Sequence, residues 1–571
     1  MYLKEAIEIP QNVPGISTKS IKGTTYIYYT YSREYDPENQ YSVPKSTSIG
    51  KLDPNNPGRM FPNMNFLKFF PEVELPEEKS GEVYRSSCLR AGAYLVLRKI
   101  VAEYDLEEIL EKVIGKDSGL FLDLAIYTII SEDNAGQYYP DYAFNHPLFT
   151  NGMKIYSDSK VSSMLCGITV DQSLAFQYEW NEGRDHKEPI YISYDSTNKN
   201  CQAGDVNFVE YGHPKDAQGA PIINYSIAYD CNNAVPLFYE DYPGSIVDIS
   251  QLQSMIETAN GYGYRNIGFI LDRGYFSKEN IHYMDKFGYD FVIMMKGMQD
   301  LVRELVLEVK GSFEESREHS IREHKVSGIT IKKQLYPSDK EERFFHVYYN
   351  DGKKGREREE FESKIDQMGE VLAKYEGKDY RPPKSFEKYF DMIYHHKGQK
   401  DEKFMYGRER HAVINEEIGL CGYFVIITSR KMTAEQALDL YKGRDASEKL
   451  FRGDKTYLGN RTYRTHLNES TRAKIFVEFV ALIIRHRFHT YIRKQIIKIG
   501  KRRNYMNVAA AIKELEKIEM IKSPDGNYHM AHAVTATQKE ILKAFGMTAA
   551  NIKTQILGIN EDLIRSGREV H

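Results

Sequence analysis

Alternating and helical hydrophobic patterns divide the chain into successive regions. Residues 21–52 alternate β-branched or aromatic residues with polar ones around a D-P-E-N turn, which is typical of a β-hairpin. From about residue 86 the apolar residues recur every three or four positions, and this spacing predicts helices up to about residue 180. We therefore expect an N-terminal β-rich segment, 1–75, followed by a helical region, 86–186.

The pattern changes to strands between residues 187 and 296. Three strand-like segments, EPIYISYD, INYSIAYD and AVPLFYEDY, are followed by helix, strand, helix and strand in VDISQLQSMIETAN, NIGFILD, SKENIHYMDKF and YDFVIMMK. The order β-β-β-α-β-α-β predicts a mixed sheet flanked by helices. Ribonuclease-H-like domains have this order, so we interpret 187–296 as the first part of such a core.

The remaining chain contains an insertion and the rest of this core. Over 297–429, strand-like pieces bracket a charged helical stretch, KKGREREEFESKIDQMGEVLAKYEG, and we interpret this range as a mainly β insertion. A helix begins after Thr433, because Thr433 and Gln436 form a capping box. We assign 430–505 to the second part of the core and 506–571 to a helical C-terminal region.

The predicted fold is thus α/β: a ribonuclease-H-like mixed sheet with flanking helices, interrupted by a mainly β insertion. An N-terminal β-hairpin and helical region precede it, and a helical region follows it.

Charge and cysteine content narrow the function classes. The 571 residues include 77 Lys or Arg and 81 Asp or Glu, a net charge of −4, which excludes a uniformly basic DNA-packaging protein. Local charge differs, since residues 471–505 carry ten Lys or Arg against one acid, Glu478. The five cysteines are widely spaced and the N-terminus lacks a signal-peptide pattern, so we predict a reducing, cytoplasmic compartment.

Two aspartates end predicted strands of the core. Asp195 ends YISYD in the first strand and Asp272 ends GFILD in the fourth. Each alone fits a turn-capping residue. In a ribonuclease-H-like sheet the first and fourth strands are neighbours, however, and two adjacent carboxylates repel unless a cation lies between them. The pair therefore indicates a metal site, with Asp230 at the end of the second strand as the alternative to Asp195.

A third acid lies on the helix that begins at Thr433. Tyr441, Arg444 and Glu448 are spaced three and four residues apart, so at about 100° per residue they share one helical face. An Arg–Glu surface pair is the simpler explanation of that spacing. Lys455 completes the pattern Y-x2-R-x3-E-x6-K, which follows two strand-end aspartates in chain order.

With these motifs the sequence resembles the DDE transposases of bacterial insertion sequences, specifically the insertion-sequence-four group with its Tyr-Arg-Glu-Lys signature. The resemblance runs through YISYDSTN, FILDRGYF, CGYFVIITS and YKGRDASEKLFRGDK. It implies that Asp195, Asp272 and Glu448 are the catalytic residues and bind two divalent metal ions, Mg²⁺ with Mn²⁺ as a substitute. A mostly β insertion separates the second aspartate from the glutamate in that family, and 175 residues separate them here.

The resemblance also implies DNA contacts. Tyr441, Arg444 and Lys455 match the residues that hold the DNA backbone near the transposon end. The chain departs from the family in one respect: some members stack a flipped base on a Trp of the insertion, whereas the only Trp here, Trp180, lies outside it. Because both ends of one element must be cut, we expect a homodimer on paired terminal inverted repeats.

The residue types suit phosphodiester chemistry independently of the resemblance. Two Mg²⁺ ions about 3.5 to 4 Å apart activate the attacking hydroxyl and stabilise the leaving oxygen. Mg²⁺ takes a few carboxylates together with phosphate oxygens. An Arg binds phosphate as a two-pronged donor and a Lys binds it as a point charge.

Two further regions are candidates for DNA contact. We assign end recognition to the N-terminal 186 residues, with the short helix at 157–168 as the groove reader and core packing as the competing explanation. The basic segment 471–505 is expected to contact phosphates, which fixes position without reading sequence. The residues proposed for its exposed face are Arg485, Arg487, Arg493, Lys494, Lys501, Arg502 and Arg503.

Two other functions fit part of the pattern. A plain ribonuclease-H-like nuclease needs neither the N-terminal region nor the Tyr-Arg-Glu-Lys face. A non-catalytic DNA-binding regulator derived from a transposase would have no use for three intact acids. Cut-and-paste DNA transposition accounts for all of these features, and we take it as the predicted function.

Overall fold

A computed structural model of the 571-residue chain divides into two compact units, Met1–Arg85 and Ser86–His571. Over the part of the chain that the structure describes, no helix is long and apolar enough to cross a membrane. The described residues are 2–3, 6–11, 13–38, 40–73, 85–184, 189–201, 206–211, 221–246, 248–295, 299–339, 341–396, 398, 402–444, 458, 462–463, 465–500 and 503–569.

The first unit is an antiparallel sheet. Its strands are β1 (Ile7–Glu8), β2 (Ile16–Ile21), β3 (Thr24–Asp36), β4 (Tyr41–Asp53) and β5 (Asn56–Pro62), followed by helix α1 (Met64–Phe69). The strand order is β1-β5-β4-β3-β2. β3 and β4 form the hairpin predicted from the alternation of residues 21–52, and that prediction is confirmed. The small core of this unit contains Ile27, Ile49, Met60 and Phe66.

A helical region opens the second unit. After the short strand β6 (Cys88–Arg90) come α2 (Gly92–Glu103), α3 (Leu106–Ile114), α4 (Ser118–Ser131), α5 (Tyr139–Asn145), α6 (Asp158–Gly167) and α7 (Val170–Glu182). Trp180 on α7 donates its indole N–H to the carbonyl of Pro236, at 2.9 Å. Asn181 donates to the carbonyl of Leu237 at 2.8 Å. The helical region therefore belongs to the same core as the sheet described next.

The predicted five-stranded core is present in the expected order. Its elements are β7 (Ile190–Cys201), β8 (Ile222–Asp230), β9 (Val235–Pro243), α8 (Asp248–Gly261), β10 (Ile267–Leu271), α9 (Lys278–Phe287) and β11 (Asp290–Met294). The strands lie in the order β9-β8-β7-β10-β11. β7, β8 and β9 are antiparallel, whereas β7, β10 and β11 are parallel. This is the ribonuclease-H-like arrangement, and the first and fourth strands are neighbours as predicted.

The segment between β11 and the next core helix extends this sheet. It contains α10 (Gln299–Val309), β12 (Ser320–Ile321), β13 (Val326–Gln334), β14 (Glu342–Tyr349), α11 (Asp351–Lys374), β15 (Phe390–His395), β16 (Lys403–Glu409), α12 (His411–Leu420) and β17 (Tyr423–Thr428). β17 pairs with β11, and β14, β13 and β12 follow outward. β15 and β16 form a separate two-stranded sheet that packs on α11.

Helices dominate the described residues that follow β17. Its elements are α13 (Ala434–Gly443), β18 (Thr462–Tyr463), α14 (Asn468–Ile499), α15 (Val508–Leu515), β19 (Glu519–Lys522), β20 (Tyr528–Met530), α16 (Ala536–Ala544) and α17 (Ala549–Glu569). The capping box of Thr433 and Gln436 is confirmed, because each side chain accepts the other's backbone N–H. β18 adds in parallel to the end of β7.

Candidate active site

The register of two neighbouring strands brings the predicted aspartate positions together. β10 pairs in parallel with β7, and Leu271 lies opposite Tyr194. The next positions on the two strands are Asp272 and Asp195. Residues opposite each other in a sheet point to the same face, so these two acids occupy adjacent positions on one face.

The sequence suggested that Asp195 ends its strand, but in the structure Asp195 lies within the strand. β7 continues to Cys201, and Asp195 pairs with Ile227 in the middle of β7 and β8. The strand is longer because the polar residues after Asp195 are covered: Ser196, Thr197 and Lys199 are all buried. Asp272, in contrast, directly follows the last residue of β10.

The face that carries both aspartates is the one covered by α13. Ser193 lies two residues before Asp195 and therefore on the same face, and it pairs with Ile270. Ile270 packs with Leu438 and Tyr441 of α13. The C-terminal end of α13, where the Tyr-Arg-Glu-Lys pattern begins, thus lies over the aspartate positions.

Arg444 caps this helix and contacts one of the aspartates. Its Nη1 is 3.4 Å from Oδ1 of Asp272, and the guanidinium lies 5.5 Å from the ring centroid of Tyr441. The Arg444 side chain is 13% exposed and that of Asp272 is 36% exposed. This contact places Arg444 beside a catalytic candidate across the sheet. The surface pair with Glu448 that the spacing alone would explain involves a residue outside the described ones.

Four predicted site residues lie outside the described residues: Glu448, Lys455, Lys501 and Arg502. Among the described residues, no three His, Cys, Asp or Glu side chains are grouped closely enough to hold a metal ion. The donor set nevertheless fits a hard divalent cation, because adjacent strand positions supply two carboxylates and the contact with Arg444 shows that Asp272 accepts a positive neighbour.

Two of the basic residues of α14 are less exposed than the sequence analysis predicted. Arg485 and Arg487 are half-buried. Arg487 forms an ion pair with Glu103 of α2, and its guanidinium lies 4.6 Å from the Tyr491 ring centroid. The expectation that Arg487 is exposed is therefore wrong, because α14 packs against the helical region and turns this residue inward.

Arg493, Lys494 and Arg503 are exposed. Nε of Arg503 lies 3.3 Å from Oε1 of Glu540, so this residue forms a surface ion pair. The end of α14 thus keeps part of the predicted basic face.

Burial controls the ionisation of two groups around the core strands. His486 on α14 lies 2.9 Å from the hydroxyl of Tyr229, and burial, with the charges of His489 and Arg485, lowers the pKa of His486 to about 3. On the opposite face, burial raises the pKa of Glu240 above its usual value, although Thr258 and other donors hydrogen-bond to its carboxylate. Neither group lies at the aspartate positions.

Asp230, the alternative to Asp195, has a structural role. Its Oδ1 accepts the backbone N–H of Asn232 at 2.8 Å, and its Oδ2 accepts from the Asn233 side chain at 2.7 Å. Asp230 pairs with Ile192, an odd number of residues from Asp195, so it points to the other face of the sheet. It caps the turn between β8 and β9.

Sequence reasoning did not find one buried ion pair near these positions. Lys199 on β7 and Glu478 on α14 are 2.7 Å apart, and their side chains are 0% and 1% exposed. One signal was present, since Glu478 is the single acid in the apolar run KIFVEFVALIIR. A carboxylate that is buried by its helix needs a charged or hydrogen-bonding partner.

Comparison with known families identifies the domain around the two aspartates. Residues 192–359 match the family model described as "Transposase DDE domain". The chain carries a transposase DDE domain. It is accordingly a DNA transposase, an enzyme that acts on DNA, and enzymes of this family use divalent metal ions.

Two further comparisons add little to this match. No curated protein matches the chain. Among solved structures, a cryo-EM structure of a piggyBac transposase synaptic complex with hairpin DNA aligns over 86% of this chain and 80% of its own, with 8% identity and a TM-score of 0.32.

Proposed function

We propose that this DNA transposase belongs to a bacterial insertion sequence of the insertion-sequence-four group and performs cut-and-paste transposition. It would cleave DNA and transfer strands at the terminal inverted repeats. The register of β7 and β10 carries the proposal, because it sets positions 195 and 272 side by side under the end of α13. The Y-x2-R-x3-E-x6-K pattern that begins at Tyr441 supports the group assignment.

The proposed catalytic residues are Asp195, Asp272 and Glu448, which would bind two Mg²⁺ ions, with Mn²⁺ as a substitute. When bound, these ions activate the attacking water or 3′-hydroxyl and stabilise the leaving oxygen. The protein would hold the Asp195 and Asp272 carboxylates at adjacent positions of two paired strands, which fixes their spacing before DNA arrives.

Arg444 would change partner during the reaction. In the free protein its guanidinium lies beside Asp272 and offsets the carboxylate charge. A DNA phosphate offers a stronger, two-pronged acceptor for the same guanidinium. We propose that Arg444 moves to the phosphate when DNA and metal enter, and that Tyr441 and Lys455 bind neighbouring phosphate oxygens.

DNA contacts outside the catalytic centre form part of the proposal. The region 86–186 would recognise the terminal repeat, and the basic segment 471–505 would contact phosphates through Arg485, Lys501, Arg502 and Arg503. Among the described residues, the exposure of Arg493 and Lys494 favours the end of α14 for this role. We propose a homodimer on paired ends, acting in the cytoplasm near the nucleoid.

The experiment that tests the proposal removes one carboxylate charge. Asp272→Asn should abolish metal-dependent cleavage of a terminal-repeat duplex, measured by gel, while binding of that duplex stays nearly intact. The matched control is Asp230→Asn, which alters the turn-capping aspartate. It should lose about 1 kcal/mol of stability and retain cleavage. Strand cleavage by Asp272→Asn at the wild-type rate would reject the assignment.

A further inference from the structure

A completely buried polar cluster joins the catalytic strand to α14. The ammonium of Lys199 lies 2.7 Å from Oε2 of Glu478 and 4.5 Å from the ring centroid of Tyr225. The hydroxyl of Tyr463 donates to the same carboxylate oxygen. All three polar groups of this cluster, Lys199, Glu478 and Tyr463, belong to side chains that solvent does not reach.

The cluster connects the parts of the chain that bear the catalytic candidates. Lys199 lies four residues after Asp195 on β7, so both residues are on the same face of the sheet. Tyr463 belongs to β18, which pairs with the end of β7. Among the described residues, β18 is the first strand that follows Glu448 and Lys455 in the sequence. The carboxylate of Glu478 therefore contacts both β7 and β18.

Stability alone does not explain a buried ion pair. Removing both charges from water has a desolvation cost of several kcal/mol per ion, and well-packed apolar replacements are often neutral or stabilising. A hydrogen-bonded pair does fix distances and angles, because its geometry is directional, whereas apolar packing tolerates small shifts. Its position beside the catalytic strand is where such fixed geometry would matter.

We propose that Lys199, Glu478 and Tyr463 form a positioning cluster that sets the spacing between Asp195 and the Glu448-bearing segment. This inference rests on the proposed catalytic role of those two acids. The cluster touches neither DNA nor metal; it acts by holding β7 and β18 in one register on α14. Loss of the cluster should therefore weaken divalent-ion binding before it weakens folding. Supporting residues of metal ligands typically contribute about 10- to 100-fold in metal affinity or activity.

The test compares an apolar replacement of the pair with the wild-type chain. Lys199→Met/Glu478→Leu should melt within a few degrees of wild type, bind Mn²⁺ at least about tenfold more weakly by electron paramagnetic resonance without DNA, and cleave about a hundredfold more slowly. Tyr463→Phe, which removes a single hydroxyl, should fold normally and show a smaller loss of Mn²⁺ affinity. If the double variant does not fold, the Mn²⁺ affinity of Tyr463→Phe alone tests the proposal.

The matched control is a partly buried pair in the same unit, His146 and Glu516, whose Nε2 and Oε2 are 2.8 Å apart. His146→Leu/Glu516→Leu should leave Mn²⁺ affinity unchanged. Wild-type Mn²⁺ affinity in both the Lys199→Met/Glu478→Leu and Tyr463→Phe variants would overturn the proposal. Asp272→Asn, measured in parallel, separates the two hypotheses: if it cleaves normally, the proposed active site is wrong whatever the cluster does.

Discussion

Two ion pairs on the same face of the sheet differ in their contact with water. Lys199 and Glu478 are 2.7 Å apart and fully buried, whereas Arg444 and Asp272 are 3.4 Å apart with 13% and 36% of their side chains exposed. Separating the first pair would leave two charges buried away from water, which is costly, so this pair is permanent. Water and phosphate can replace Asp272 as the partner of Arg444, so the second pair is exchangeable. Under the proposed mechanism, the permanent pair would hold the sheet in place and the exchangeable pair would free Arg444 for a DNA phosphate.

The largest loss of stability is expected when only one residue of the buried Lys199–Glu478 pair is replaced. Lys199→Met removes the ammonium that lies 2.7 Å from the buried Glu478 carboxylate, which should reduce the free energy of unfolding by about 3 to 5 kcal/mol. Urea denaturation followed by circular dichroism measures this loss. The companion Arg444→Met should lose no more than about 1 kcal/mol, because water reaches its partner. Equal losses in the two variants would contradict the distinction between permanent and exchangeable pairs.

The next effect concerns the exchangeable pair. Arg444→Ala should keep near-wild-type melting but lose about a hundredfold in cleavage, equivalent to about 2.7 kcal/mol, because the phosphate loses its two-pronged donor. Melting and assembly of the paired-end complex are measured on the same preparation, with Lys455→Ala beside it. Normal end joining by both variants would show that these residues are structural only.

A third prediction contrasts the buried Lys199–Glu478 ion pair with a partly buried neutral group, the imidazole of His486. The folded-state pKa of His486 is about 3, lowered by burial, against about 6.5 in the unfolded chain. The unfolded state therefore binds an extra proton between these values, and stability falls as the pH drops from 6.5 towards 3. At pH 5 the loss is about 2 kcal/mol. His486→Gln should flatten this part of the stability profile in urea titrations, and an unchanged profile would reject the assignment.

The sequence predicts the sheet and part of the site because both depend on local patterns. The alternation and turns of residues 187–296 suffice for the order of the core strands, and Thr433 with Gln436 suffices for the start of α13. The adjacency of Asp195 and Asp272 follows from the known strand order of the ribonuclease-H-like arrangement. Each of these inferences needs only neighbouring residues or a topology rule.

Contacts between residues that are far apart in the sequence could not be predicted from local patterns. The strands between β11 and α13 were expected to form an insertion, and no local signal indicates that β17 and β14 continue the core sheet. The partner of Glu478 comes from 279 positions away in the sequence. Arg487 has the same residue type as Arg493, yet only packing of α14 on α2 decides which of them is exposed.

The smallest effect should come from the exposed end of α14. Arg493 and Lys494 are exposed there, so replacing both with Gln should remove up to two phosphate contacts without a change in melting. Each lost contact reduces the slope of log affinity against log salt by about 0.9, for every DNA sequence alike, because fewer counterions are released on binding.

Arg487→Gln is the matched control: its ion pair with Glu103 holds α14 on α2, so it should lower the melting temperature and leave the salt slope unchanged. If the slope instead changes in Arg487→Gln and not in the double variant, the inward residue has a role in DNA binding that its position in the free protein does not show. Fluorescence anisotropy with a terminal-repeat duplex and an unrelated duplex, between 50 and about 200 mM salt, distinguishes these outcomes.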